Sequence, residues 1–271
     1  MAIVVTSMSE PEREPVNIAG VANRAFAFLV VAFLLAPIVI AVIVAFSSGD
    51  TLRFPVPGLS LRWFAIAVTK PQYIEGLWVS CVIGLGNAVL ATAAGTGAAL
   101  AIHRYRFPGR AAVQALVMLP IAMPGIVLGL GLLFTLAVYG MQPGLLAATL
   151  GHAVLGIPYV VAMVTAALAN YDISLERASL NLGVGPVRTF FLVTLPMIRG
   201  GVIAGAVSAF LISFDNFSLS LFITKGDTLP LRLMQQLLAY ADPSVAAIST
   251  LLVVASLAGM IFLLPLALRG R

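Results

Sequence analysis

From Ala25 to Phe46 the chain runs without one charged residue. An α-helix needs about 20 such residues to cross the hydrocarbon core of a bilayer. Five more apolar stretches follow, at about residues 77–102, 111–139, 145–168, 200–224 and 246–268. Charged residues make up only 9% of the sequence, against about 25% in a soluble domain. Within a bilayer, backbone polar groups must find partners inside the protein, so only helices and closed barrels span it. Long continuous runs predict helices, whereas a barrel would show short alternating segments. The expected fold class is therefore all-α: a polytopic membrane protein with six transmembrane helices in residues 25–268, flanked by segments 1–24 and 269–271. Glu10, Glu12 and Glu14 precede the first run. That acidic leader, and the length of the run, read as a retained span rather than a signal peptide.

Composition excludes several function classes. One cysteine, Cys81, permits no disulfide framework. His103 and His152 lie too far apart in sequence to suggest a metal site. The only lysines, Lys70 and Lys225, do not follow glycine, so no phosphate-cradling loop is present. If ATP drives this protein, another subunit hydrolyses it. The net charge of +5 does not point to nucleic acid, because the arginines sit at the ends of apolar runs, where they orient spans. Ten of the 15 Lys and Arg residues fall in 1–24, 103–110, 169–199 and 269–271. Positive charge marks the cytoplasmic side, so both termini and the 169–199 loop are expected there.

Small residues along 77–102 (Gly84, Ala91, Gly95, Ala99) predict a span packed inside the bundle. Pro120 and Pro124 should kink or split the third span, and Gly125 and Gly129 form a G-x-x-x-G pair after them. A short half-buried helix is expected near Leu61–Val68, and a short amphipathic helix in the 225–245 loop. Trp63, Phe64, Tyr73 and Tyr240 suit interfacial positions. Glu75 and Asp242 are expected in outer loops, solvated or touching an extracytoplasmic partner.

Asp215, in Ser213-Phe214-Asp215-Asn216, is the conspicuous ionisable group within a span. A carboxylate there costs about 2.5–3.5 kcal/mol on insertion scales and normally faces a cavity or a partner. Counted from Gly200, it lies about 22 Å along a helix. Two readings stand: a pathway residue meeting a polar or cationic solute, or a carboxylate bonded to Ser213, Ser218 or another helix. His152 reads as a satisfied histidine near the outer end of span four, or as a group with a pH or substrate role. No Gly-x-Ser-Gly and no second aspartate well inside a span is present, which argues against intramembrane catalysis.

The loop between the fourth and fifth spans is the richest polar stretch of the C-terminal half. Arg177-Ala178-Ser179 is followed by Gly183, then by nine residues and Val193-Thr194-Leu195-Pro196. This spacing resembles the cytoplasmic EAA loop of membrane subunits of binding-protein-dependent ABC importers. Arg177 stands where that family usually has Glu, with Glu176 just before it, and Val193 replaces Ile. Leu119 to Gly129, Gly151-His152 with Ile157-Pro158-Tyr159, Ser213 to Asn216 and Thr228 to Leu231 are similar to the spermidine/putrescine branch, and to its C-type permeases in particular.

The resemblance implies a type I ABC importer permease fold. It implies a short coupling helix formed around Glu176, Arg177, Ala178, Ser179 and Gly183 and closed by Leu195 and Pro196, docking on an ATPase subunit. Pro186 can open a helix, and Arg188 offers bidentate pairing. It further implies a second permease, two ATP-binding subunits that hold ATP and Mg2+, and an extracytoplasmic solute-binding protein, with no cofactor in this chain and no nucleic-acid partner. The expected function is passage of a small organic solute, foremost a polyamine, across the inner membrane past Ser213, Phe214, Asp215 and Asn216. The alternative is a self-sufficient secondary transporter or channel, which would need more than one in-span ionisable group.

Overall fold

The computed structural model describes residues 18–268. The expected flanks therefore lie outside the described residues, except for 18–24, which open the first helix. Twelve α-helices follow one another, and among the described residues the only β pairing is an isolated bridge between Ser47 and Leu59.

Helix α1 (Ile18–Ala45) is apolar from Ala25 onward, and residues 23–40 are exposed all round. A helix hydrophobic on every face belongs in lipid. Only at Val44 and Ala45 does it enter the core. There it meets α2 (Arg62–Thr69), which buries Trp63 and Ala67. The indole of Trp63 donates to the Gly49 carbonyl at 3.1 Å, so this tryptophan is an internal anchor rather than the expected interfacial one.

Helix α3 (Pro71–Arg104) has 34 residues, about 51 Å at 1.5 Å per residue. It begins earlier than the expected 77 because Pro71 sits in its first turn, where the missing N–H costs nothing. Tyr73 consequently lies on the helix, buried, with its hydroxyl 2.8 Å from Ser244 Oγ. The expected interfacial anchor is a core residue.

The third span is split. The chain bends by 110° between helices α4 (Arg110–Ala122) and α5 (Gly125–Val138). Pro124 makes the break, because it drives the preceding Met123 to an extended conformation (φ −84, ψ 137). Pro120 stays inside α4. Helix α6 (Leu145–Leu168) forms the centre of the molecule. After it come α7 (Ile173–Asn181), α8 (Pro186–Thr189), a π turn at Phe190–Thr194, and α9 (Leu195–Phe214).

The expected fifth span, 200–224, is not one helix. Helical backbone runs from Pro186 to Phe214, breaks at Asp215-Asn216, and resumes as α10 (Phe217–Ile223). Pro196, expected to close the loop, sits in the first turn of α9 instead. Its ring would clash with the Leu192 carbonyl in a regular helix. The π turn widens the backbone there, with the Leu195 N–H reaching Phe190 O, and the helix passes the proline unbroken. Helix α11 (Leu229–Ala239) and α12 (Ser244–Leu268) complete the chain.

Helices α3, α6 and α9 pack as a central triad around Ala91, Val160, Val164, Ile198 and Ala209. Small residues set their spacing. A Cβ on Gly95 or Gly205 would lie within 3.0 Å of Val160, and one on Gly201 within 2.7 Å of the Met163 carbonyl oxygen. Among the described residues four helices are long and apolar enough to cross a membrane, five if the bent α4–α5 pair is one span. The described apolar part of α12, Ser244–Gly259, is shorter, but the whole helix has 25 residues, which is compatible with six crossings.

Candidate functional site

Two places on the triad carry polar chemistry. The first is the segment joining α6 to α9. Asp172 caps α7, its Oδ1 accepting from Ser174 N at 2.9 Å. That backbone N–H, with the Ser174 hydroxyl second, holds the Asp172 carboxyl below the usual carboxylate range. Gly183 ends the helix at φ +81. Its N–H bonds Leu180 O at 3.0 Å and the Val184 N–H bonds Ser179 O at 3.2 Å, the paired closure of a Schellman motif. Pro186 then opens α8, and Ser179 Oγ meets Thr189 Oγ1 at 3.0 Å, tying α7 to α8.

The expected coupling residues separate into two groups. Arg177, Ala178 and Gly183 are exposed. Ser179 faces Thr189. Leu195 and Pro196 lie on α9 beyond the π turn, as part of the span and not of the loop. Glu176 points inward: its Oε2 accepts from Arg104 at 2.6 Å, Tyr171 Oη at 2.9 Å and Thr194 Oγ1 at 3.1 Å. Burial chiefly, with the Glu176 carboxylate in support, pushes the Tyr171 phenol above its ordinary value. Leu182 (84% exposed) and Val187 (70%) project from the same tip. Sequence reasoning missed both, although two bare apolar side chains beside a glycine turn are a signal for a partner.

The second place is the break between α9 and α10. Asp215 is the C-cap of α9 and is exposed. Among the described residues its carboxylate has no hydrogen bond and no ion pair, so the expected tie to Ser213 or Ser218 is not made. Asn216 caps α10, its Oδ1 accepting from Leu219 N at 2.8 Å. Phe214 stacks on Phe210, with ring centroids 5.7 Å apart. Ser213 is buried, and its Oγ lies 2.7 Å from His152 Nδ1. The other imidazole nitrogen, Nε2, lies 3.4 Å from Ser220 Oγ on α10.

His152 therefore bridges both sides of the break from α6. It is satisfied, but in the bundle interior and not at a helix end, because α6 begins at Leu145 and carries His152 to the packed face. Of the four expected pathway residues, Asp215 is open, while Ser213, Phe214 and Asn216 hold the break in shape. Helix α10 is seated on α5 through the G-x-x-x-G pair: a Cβ on Gly125 would lie 2.9 Å from Ser218 Cβ, and one on Gly129 2.8 Å from Phe222.

At the far end of α3 from Arg104, Asp242 is tied internally. It accepts from Gln236 Nε2 at 2.6 Å and from Ser244, so this half-buried carboxylate braces α11 against α12. Glu75 is exposed. No group of three or more His, Cys, Asp and Glu side chains able to hold a metal occurs among the described residues.

Residues 91–268 match the family described as binding-protein-dependent transport system inner membrane component. The chain is 31% identical over 238 residues to the spermidine/putrescine transport system permease protein PotC of Haemophilus influenzae, covering 87% of this chain and 92% of the relative. It is 29% identical over 229 residues to the putrescine transport system permease protein PotI of Escherichia coli K12, covering 81% of each. Its fold is similar to a chain in the crystal structure of a bacterial ABC transporter involved in import of the polysaccharide alginate, with TM-score 0.67, 14% identity, and coverage of 96% and 99%. The chain belongs to the inner membrane components of binding-protein-dependent transport systems, and is a membrane permease subunit of an ABC importer.

Proposed function

We propose that this permease carries di- or polycationic amines, such as spermidine and putrescine, and that Asp215 meets them on the way. The observation that carries this reading is the open carboxylate at the α9–α10 break. An ionisable group at a break within a span faces a cavity or a partner, and a cationic solute would supply the missing charge. The relatives named for spermidine and putrescine transport support the same class.

The chain works in this reading with a second permease, two ATP-binding subunits that hold ATP and Mg2+, and an extracytoplasmic solute-binding protein. Both termini and the α7–α8 tip face the cytoplasm. The exposed face of that tip, with Arg177, Ala178, Leu182 and Val187, docks on the ATPase. The helical stretch Pro186–Phe214 has 29 residues, about 43 Å, and ends beside Asp215. A displacement of the tip is thus delivered to the break by one rod, and alternating access follows from its rocking within the triad.

Reconstitution of the full complex in liposomes tests this. ATP-driven uptake of labelled spermidine or putrescine, delivered by the cognate binding protein, is expected. Uptake of neither amine would sink the substrate assignment. Ion-gradient-driven uptake by this chain alone would favour a self-sufficient transporter instead.

A further inference from the structure

The rod has a soft place. The π turn at Phe190–Thr194 is its one stretch of widened helix, and such turns are common sites of bending. Thr194, the last residue of that turn, is buried in a knot of four side chains. Arg104, at the end of α3, reaches Glu176 Oε2 at 2.6 Å and Thr194 Oγ1 at 3.2 Å. Thr194 reaches Glu176 at 3.1 Å, and Tyr171 Oη lies 2.9 Å from Glu176 and 3.3 Å from Thr194. The side chains of Arg104 and Glu176 are 22% and 15% exposed, so the pair is sheltered, unlike surface pairs of little worth.

The knot joins three elements that are far apart in sequence: the end of α3, the start of α7 and the π turn. Nearer the break, α3 is joined to α9 again. Asn87 Nδ2 donates to Ala209 O, and Gly84 lies against Phe210, which stacks on Phe214 beside Asp215. Helices α3 and α9 are thus fastened to each other at both ends of the path from tip to break.

We propose that Arg104 and Glu176 are positioning residues for coupling: the knot braces the π turn against α3, so that movement of the α7–α8 tip drives α3 and α9 together instead of being absorbed as a bend. This rests on the reading of the tip as the ATPase-coupling element. It assigns Glu176 an internal role, in place of direct contact with the ATPase. Without the knot, the ATPase docks and turns over, but less of its stroke reaches the break.

The test uses the full complex in liposomes and reads amine taken up per ATP hydrolysed, together with retention of the ATPase subunits on purification. Glu176→Gln, Arg104→Gln and the near-isosteric Thr194→Val are expected to lower the ratio roughly 2- to 30-fold, the range for mutations along a coupling route, with the ATPase retained. The exchange pair Arg104→Glu with Glu176→Arg is expected to recover most of it. An unchanged ratio in the single variants overturns the proposal while leaving the permease reading intact. Loss of the ATPase from Glu176→Gln also overturns it, since that marks a direct docking contact. Absence of ATP-driven uptake in the unaltered complex would overturn the coupling reading and this proposal with it. Should the exchange pair fail to assemble, Thr194→Val decides, because it alters no charge.

Discussion

His152 Nδ1 and Ser213 Oγ lie 2.7 Å apart in the buried centre of the bundle, one on α6 and the other two residues before the α9 break. The same ring reaches Ser220 on the far side. One imidazole thereby sets the angle between the two half-helices. His152→Ala leaves two buried hydroxyls without this partner, at about 1–3 kcal/mol for each polar group left unsatisfied. The purified complex should melt at a lower temperature, and uptake should fall. Ser213→Ala removes only one of the two contacts and should be the milder change. Equal melting of His152→Ala and the unaltered complex would show that the break is held by other means.

Asp215→Asn tests the pathway role without removing bulk. A hydrogen bond to a charged group contributes about 1.5–3 kcal/mol, so uptake of a diamine at saturating binding protein should slow by about tenfold or more. The ATPase subunits should remain bound, since Asp215 lies at the far end of the Pro186–Phe214 rod. Asp215→Glu should retain part of the rate. Unchanged uptake by the Asn variant would remove Asp215 from the solute path.

The all-helical class was legible in the apolar runs, and the family in the spacing from Gly183 to Leu195-Pro196. The break at Asp215 was not, because no glycine or proline lies between Ala206 and Thr224. Side chains make that break: Asn216 caps the new helix and His152, some sixty residues upstream, clasps both halves. The Asp-Asn pair was the available signal, since Asn is a strong helix-starting residue. Pro196 misled in the opposite sense. The resemblance made it the close of the coupling segment, but a π turn absorbs its missing donor and the helix runs on through it. The inward direction of Glu176 depends on Arg104, in another helix, and no local pattern encodes it.

Gly129 and Gly131 on α5 make a matched pair. A Cβ on Gly129 would lie 2.8 Å from the Phe222 ring and 3.1 Å from the Ser218 carbonyl oxygen, while one on Gly131 meets nothing within 4 Å. The phenyl ring can turn aside, but the carbonyl belongs to the α10 backbone. Gly129→Leu should therefore unseat α10 and destabilise the complex by about 1–3 kcal/mol, as overpacking does. Gly131→Leu should melt like the unaltered protein. Thermal melting of the two variants side by side checks this. Equal melting would mean that α10 is not fixed by its seat on α5.

Gly183 offers a test of the loop in which sterics and conformation can be separated. Nothing lies within 4 Å of an added Cβ, so no clash arises, yet φ is +81. A left-handed conformation costs an ordinary L-residue about 1–2 kcal/mol, and Asn less, because it visits that region readily. The Schellman closure of α7 should therefore survive Gly183→Asn and loosen in Gly183→Val, whose branched Cβ tolerates positive φ poorly. Uptake per ATP should order as Gly, then Asn, then Val. If bulk at the ATPase surface decided the outcome instead, Asn and Val, being similar in size, would behave alike. Coupling in the Val variant equal to that of the unaltered complex would mean that the turn geometry at Gly183 is not what presents the tip.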